Sequence, residues 1–169
     1  MSPIRAQRRK ATLLVLFALA LFAWLGWRAV RPLLGPQPDD NWRLCVRVVD
    51  GDTLELEGGE RVRLIGVNTP ETVDPRRPVE RFGKEAYAFT QRMAEGRRVR
   101  LAYDQEQYDR YGRTLAYVYL EDGRFLNAEI IRQGYGHAYT RFPFYYAEEF
   151  RAYEREAREN ARGLWADQD

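Results

Sequence analysis

The sequence predicts a mixed α+β protein: a five-stranded β-barrel with about three helices, preceded by one N-terminal transmembrane helix. Three observations point there. Five short strand-like stretches fall between residues 43 and 120, helical periodicity dominates from about residue 81 to 94 and again after 127, and an uncharged apolar run of 17 residues stands near the start.

The apolar run is Ala11–Trp27, at the short end of what crosses a bilayer as a helix. Arg5, Arg8, Arg9 and Lys10 precede it, and Arg28 and Arg31 follow, a bias that places the N-terminus inside. The chain then divides into a basic cytoplasmic tail at 1–10, an anchor at 11–30, a proline-rich tether at 31–40 and a main domain at 41–169, outside the cytoplasmic membrane. A cleaved signal peptide, which would leave a secreted domain, is the alternative. Its apolar region would be shorter and end in small residues; this run ends Trp24-Leu-Gly-Trp27, bulky and aromatic, which favours an anchor.

Strand candidates are Arg43–Val49, Thr53–Leu56, Arg61–Val67, Arg98–Tyr103 and Leu115–Leu120, and five is the number an OB barrel uses. Asp50-Gly51 is a hairpin-turn signal between the first two, so Asp52 emerges at a strand end. Alternation along the third puts Val62 and Leu64 on one face and Arg63 on the other. Pro70 lacks an N–H and drives Thr69 out of the helical region, so Asn68–Glu71 reads as an extended turn with accessible carbonyls. Helices are expected at Arg81–Ala94, Asn127–Gln133 and Pro143–Ala161, with Gly96 and Gly163 as stops after the first and last. Phe82, Ala86, Phe89 and Met93 recur at helical spacing as core, and Trp165 packs back after the last helix.

Charge and rare residues narrow the chemistry. The chain has 27 Lys/Arg against 25 Asp/Glu; six and two of these fall in residues 1–40, leaving 21 against 23, or −2, for 41–169. A strongly basic nucleic-acid footprint is therefore absent, and any polyanion must be captured by a local arginine cluster, with Arg110 and Arg141 as contributors, plus aromatic stacking. Cys45 is the only cysteine and His137 the only histidine, which excludes an intrachain disulfide and a familiar zinc site. Cys45 reads as a buried free thiol, and His137 stays outside the mechanism.

The segments Asp50-Gly-Asp-Thr53, Arg63-Leu-Ile-Gly-Val-Asn-Thr-Pro-Glu71 and Asp109-Arg-Tyr-Gly-Arg113 gather acids and arginines that suit metal-assisted attack on a phosphodiester. Such a reaction needs a hard cation, guanidinium groups on the non-bridging oxygens and a group that orients water. Asp52 and Glu71 offer oxygens to a cation such as Ca²⁺, and Arg63 and Arg113 can grip phosphate with a bidentate fork. Taken singly, Asp52 and Asn68 are ordinary turn residues, and Arg63, Glu71 and Arg113 ordinary surface charges. The joint pattern overturns that reading.

These segments, with Glu80–Thr90, Asn127–Gly134 and the closing Gly163-Leu-Trp165, resemble the staphylococcal-type thermonuclease family from about Trp42 to Trp165. The resemblance implies an OB-fold, Ca²⁺-dependent phosphodiesterase acting on single-stranded or frayed DNA and RNA. It implies Asp52 as a metal ligand, the Thr69 carbonyl as another, and Glu71 as the residue that positions the attacking water. Arg63 and Arg113 would bind the scissile phosphate, with Tyr111 beside it, and Tyr139 would match a base-stacking tyrosine. Asn68 stands where the family's pattern has a second metal-ligating aspartate. Its amide oxygen can still coordinate Ca²⁺, but with one formal charge fewer, so weaker metal binding is expected. The competing functional class is a non-catalytic OB module that binds single strands at the cell envelope; a binder, however, has no need of Glu71.

Overall fold

The computed structural model describes residues 35–72 and 80–166. Among these no helix is long and apolar enough to cross a membrane; the run Ala11–Trp27, on which the anchor was expected, lies outside the described residues, as do 73–79 and 167–169.

Among the described residues seven strands and three α-helices follow in order: β1 (Arg43–Asp50), β2 (Thr53–Leu56), β3 (Arg61–Leu64), β4 (Val67–Asn68), α1 (Gly83–Ala94), β5 (Arg98–Ala102), β6 (Thr114–Leu120), α2 (Leu126–Arg132), β7 (His137–Ala138) and α3 (Ala147–Glu159). Five close a barrel in the order β1-β2-β3-β6-β5, with β5 pairing back to β1. All neighbours run antiparallel except β3 and β6, which run parallel. The expected alternation holds along β3: Val62 and Leu64 are buried in the barrel with Leu54, Leu56, Leu101 and Val118, while Arg63 lies on the other face. Each such fully buried aliphatic side chain contributes about 2 kcal/mol of apolar burial.

The third strand is shorter than the sequence suggested. It stops at Leu64, because Gly66 takes a left-handed φ of 73° and a Cβ there would meet the Phe144 ring at 2.6 Å. The chain then resumes as β4, which pairs with β7 instead of the barrel, Asn68 opposite His137. The bend takes Ile65 out of the strand, and its carbonyl is satisfied by the fully buried Asn127, whose Nδ2 donates to Ile65 O (2.9 Å) and Ala116 O (3.3 Å). Asn127 Oδ1 accepts from Val118 N–H (2.9 Å), so one side chain locks α2 to β6 and to the bend. This bend swings Asn68–Glu71 toward the β1–β2 turn.

The helices differ from expectation at their ends. Arg81 and Phe82 precede α1, and Phe82 takes a left-handed φ of 67° as it stacks on Tyr135 (centroids 5.4 Å). Phe82 therefore packs beside Ala157, Leu164 and Trp165, while Ala86 and Met93 enter the core and Phe89 packs partly buried against it. The last helix starts at Ala147 rather than Pro143: the Tyr145 N–H is taken by Asp104 Oδ2 (2.8 Å), which holds that segment as a turn. It ends at Glu159, and its closure falls at Ala161 rather than at Gly163: Ala161 has φ 48°, its N–H donates to Arg158 O (3.0 Å), and the Arg162 N–H donates to Ala157 O (2.9 Å), a Schellman closure without glycine. Gly163 is used for close approach, since a Cβ there would lie 2.4 Å from Gly134 O. Trp165 folds back as expected, edge-on to His137 (5.1 Å) with the Arg158 guanidinium 4.2 Å above its ring.

Asp39, within the expected tether, donates its N–H to Leu101 O (2.8 Å) and receives two bonds from the Arg43 guanidinium. Cys45 is fully buried, and burial pushes its thiol up to about 11.

Candidate active site

Asp52 sits in the two-residue turn between Asp50, the end of β1, and Thr53, the start of β2. It is only 5% exposed, so its charge has to be met by the protein or by a cation. Oδ2 lies 2.8 Å from Arg63 Nη1 and accepts the Thr69 N–H (3.0 Å); Oδ1 accepts the Thr53 hydroxyl (3.1 Å). Arg63 reaches this turn because β2 and β3 pair Thr53 with Arg63. The same Nη1 also donates to Val67 O (2.9 Å) and Asp52 O (3.3 Å), which fixes the guanidinium while its Nε–Nη2 edge has no partner among the described residues.

Thr69 and Glu71 arrive from the extended turn that Pro70 enforces. Thr69 is buried, and its hydroxyl has no hydrogen-bond partner among the described residues. The hydroxyl also sits close to Gly51, where a Cβ would come within 2.6 Å of it. Glu71 Oε1 accepts the Thr72 N–H (3.1 Å), and Glu80 Oε2 accepts the Glu71 N–H (3.1 Å). The Thr72 hydroxyl in turn donates to Asp50 Oδ1 (2.6 Å). Asp50 is a second buried carboxylate beside Asp52, and burial, reinforced by the charges of Asp52 and Glu71, raises its carboxyl to about 6. In the sequence Asp50 reads only as a turn residue; the hydrogen bond from the Thr72 hydroxyl shows that it belongs to this cluster.

The donors fit a hard cation. Asp50, Asp52, Thr69 and Asn68 offer only oxygen, and an orphaned buried hydroxyl sits among them. No group of three or more His, Cys, Asp or Glu side chains forms a ready metal centre among the described residues, so neutral oxygens must complete the shell. Asn68 is exposed at the end of β4, opposite His137. His137 itself is engaged elsewhere, with Nδ1 3.2 Å from Glu154.

Arg113, Arg110 and Tyr111 form a second cluster, on the loop that leads into β6. Parallel pairing of β3 with β6 sets Arg63 beside Leu115, so Arg113 enters two residues upstream on the strand next to Arg63. Asp109 shapes the loop: its Oδ1 accepts the N–H groups of Tyr111 (2.9 Å) and Arg113 (3.0 Å), and Oδ2 accepts Arg113 Nε (2.7 Å). Burial alone would raise the Asp109 carboxyl, but the Arg113 backbone and guanidinium and the Tyr111 N–H outweigh it and hold it below the ordinary value. Tyr111 is 68% exposed, with Arg110 bonded to its hydroxyl (2.6 Å) and the Arg113 guanidinium 5.5 Å from its ring centroid. Tyr139 lies apart from this loop, its N–H donating to Gly66 O (2.9 Å) and its ring near Phe142. Direct contacts thus join Asp52, Arg63 and Thr69, with Glu71 linked through Thr72 and Asp50; the β3–β6 register sets Arg113 just before the strand that neighbours Arg63, level with Arg61, and Tyr139 flanks the β4–β7 side.

Known proteins combine the same segments. The family described as "Staphylococcal nuclease homologue" matches residues 61–167. The Thermonuclease of Staphylococcus hyicus is 41% identical over 125 residues, 72% of this chain and 73% of that protein. The Thermonuclease of Staphylococcus intermedius is 51% identical over 98 residues, covering 56% and 58%. Endonuclease YncB of Bacillus subtilis is 32% identical over 126 residues, covering 71% and 59%. The match takes in Arg63, Asn68–Glu71 and Arg113 together with the helices that buttress them, and the chain belongs to the staphylococcal nuclease homologue family.

Proposed function

We propose that this nuclease cuts single-stranded or frayed DNA and RNA with one Ca²⁺ ion, by in-line attack of water on phosphorus. The observation that carries the reading is the arrangement around Asp52. A buried carboxylate and a hydroxyl without a partner among the described residues sit beside an arginine held by one nitrogen, whose opposite edge likewise has none among them.

Asp52, the Thr69 carbonyl and the Asn68 amide oxygen would hold the cation, with the Asp50 carboxylate behind them. Bound there, it would offset phosphate charge and make an adjacent water more acidic. The Nε–Nη2 edge of Arg63 matches two non-bridging oxygens, a pairing Lys cannot reproduce. Arg113, fixed through its Nε by Asp109, directs its remaining N–H groups to the same phosphate as negative charge develops. Glu71, oriented by the Thr72 N–H on Oε1, positions the attacking water and receives its proton. Tyr111 and Arg110 contact the strand next to the phosphate, and Tyr139 offers a stacking face. With residues 41–169 near −2, affinity is modest and rests on these groups, which favours release of cut product.

The same proposal places the enzyme on the membrane through residues 11–30, N-terminus inside and nuclease domain outside, or secreted if that segment is cleaved. Incubating the full chain, in detergent, with a single-stranded oligonucleotide in Ca²⁺ or in chelator tests the chemistry. Cleavage in Ca²⁺ that stops on chelation is expected. Undiminished cleavage in chelator would refute the metal-assisted route.

A further inference from the structure

Beside Arg113 the surface opens into a groove of 570 Å³ whose lining includes Tyr108 and Arg61, residues to which the proposed chemistry gives no role. Glu60, Arg61, Tyr108, Tyr111, Arg113 and Thr114 line it. Tyr108 is 66% exposed, so its ring face is accessible from solution. Its backbone is nonetheless fixed. Tyr108 stands opposite Thr114 in a β-bridge, flanked by Leu115 N–H to Gln107 O (2.8 Å) and Asp109 N–H to Arg113 O (3.0 Å). Residues directly opposite in a bridge share a face, so Tyr108 lies on the Thr114 side of the strand, and both residues line the groove.

The charges lining the groove are arranged for a strand rather than for a lone anion. Glu60 accepts the Thr114 hydroxyl (2.7 Å) and lies 4.0 Å from an Arg43 guanidinium that Asp39 already holds, so Glu60 keeps its charge and the groove's attraction for a polyanion rests on its arginines. Arg61 remains half exposed, and among the described residues its one ion pair is a long contact of 3.9 Å to Glu55. One rigid exposed ring and one exposed guanidinium, adjoining Arg113 and Tyr111, supply the two elements that single-strand binding requires: a stacking face for a base and a cation for the backbone.

We propose that Tyr108 and Arg61 form an additional subsite for a single-stranded polynucleotide, Tyr108 stacking a base further along the strand from the phosphate at Arg113 and Arg61 meeting the intervening phosphate. The subsite rests on the proposed nuclease reading for its neighbour at Arg113. It lengthens the stretch of strand the protein grips and makes affinity depend on substrate length. The groove explains how a domain without a basic surface holds a polyanion.

The experiment titrates the full chain, in detergent, with fluorescently labelled dT2 and dT8 in chelator, following anisotropy, and runs cleavage of dT8 in Ca²⁺ alongside. The preference for dT8 over dT2 should fall roughly tenfold in Tyr108→Ala, the loss of one stacked base, and be retained in Tyr108→Phe. Arg61→Gln should reduce the same preference and flatten its salt dependence. An unchanged preference in Tyr108→Ala, or equal loss on both lengths, overturns the subsite. Wild type that binds dT8 through Tyr108 yet cuts nothing upholds the subsite and refutes the nuclease reading, so the two failures are distinguishable.

Discussion

Arg63 Nη1 lies 2.8 Å from Asp52 Oδ2, which joins the proposed phosphate-binding arginine directly to the proposed metal-binding carboxylate. Both side chains are largely buried, so neither is an ordinary surface charge, and each sets the other's orientation. A shift in one is felt at the phosphate and at the cation together.

Replacing Arg63 therefore has two separable effects. Arg63→Lys removes the bidentate edge and should lower kcat about 10²–10³-fold on single-stranded DNA, the range for loss of one preorganised donor. Arg63→Ala also leaves Asp52 buried and unpaired, at a cost of about 3 kcal/mol in chelator. Ca²⁺ should recover part of that loss, because a bound cation replaces the missing charge. Thermal unfolding of Arg63→Ala with and without Ca²⁺ checks this; identical Tm values would argue against a metal at Asp52.

Asn68 supplies a neutral oxygen where the family resemblance implies a carboxylate. Asn68→Asp should shift the Ca²⁺ concentration for half-maximal activity downward by about tenfold, as expected for one added charged ligand. A calcium titration of activity for the two proteins decides it, and coincident curves would remove Asn68 from the metal's surroundings.

Ala161 occupies the left-handed position of the closure that ends α3. Glycine adopts that conformation without a Cβ clash, so Ala161→Gly should stabilise the fold by about 1 kcal/mol and leave activity unchanged. Urea unfolding gives the answer, and a loss of stability would contradict the assignment.

Glu154 ties α3 to β7, with His137 Nδ1 at 3.2 Å and Arg158 Nη2 at 3.0 Å. Burial pushes its carboxyl up, but the bonds from His137 and Arg158 prevail and hold it below the ordinary value. A carboxyl depressed on folding adds stability above its unfolded value, and that stability is lost as pH falls through the folded one. Glu154→Gln should accordingly cost about 2 kcal/mol at pH 7, and the gap from wild type should close as pH drops below the ordinary carboxylate range. A gap that persists in strong acid would mean that the pair does not act through charge.

What was legible in the sequence was local or periodic. The alternation Val62-Arg63-Leu64 placed two residues in the barrel and one outside, and Asp50-Gly51 marked the hairpin beside Asp52. What was not legible depends on distant partners. Gly66 ends β3 because Phe144 and Phe150, some eighty residues away, leave no room for a Cβ, and the two-residue strand β7 exists only because β4 bends out to meet it. The start of α3 was misplaced for the same reason, since Asp104 captures the Tyr145 N–H. At the site, Asp52, Arg63 and Thr69 were named from motifs, and contacts join them. Asp50 and Thr72 were missed because a turn residue and a threonine carry no signal until Glu71 is seen beside them. Asp109 was quoted but unassigned, although its i,i+4 spacing from Arg113 was available.

The most direct test of the proposed mechanism is the rate of cleavage of a single-stranded oligonucleotide in saturating Ca²⁺ by wild type and by Glu71→Gln, with oligonucleotide affinity measured in chelator for both. Near-equal affinity is expected, with a fall in kcat of at least 10²-fold for Glu71→Gln, the typical contribution of a positioned acid–base group. Equal kcat in the two proteins would contradict that mechanism.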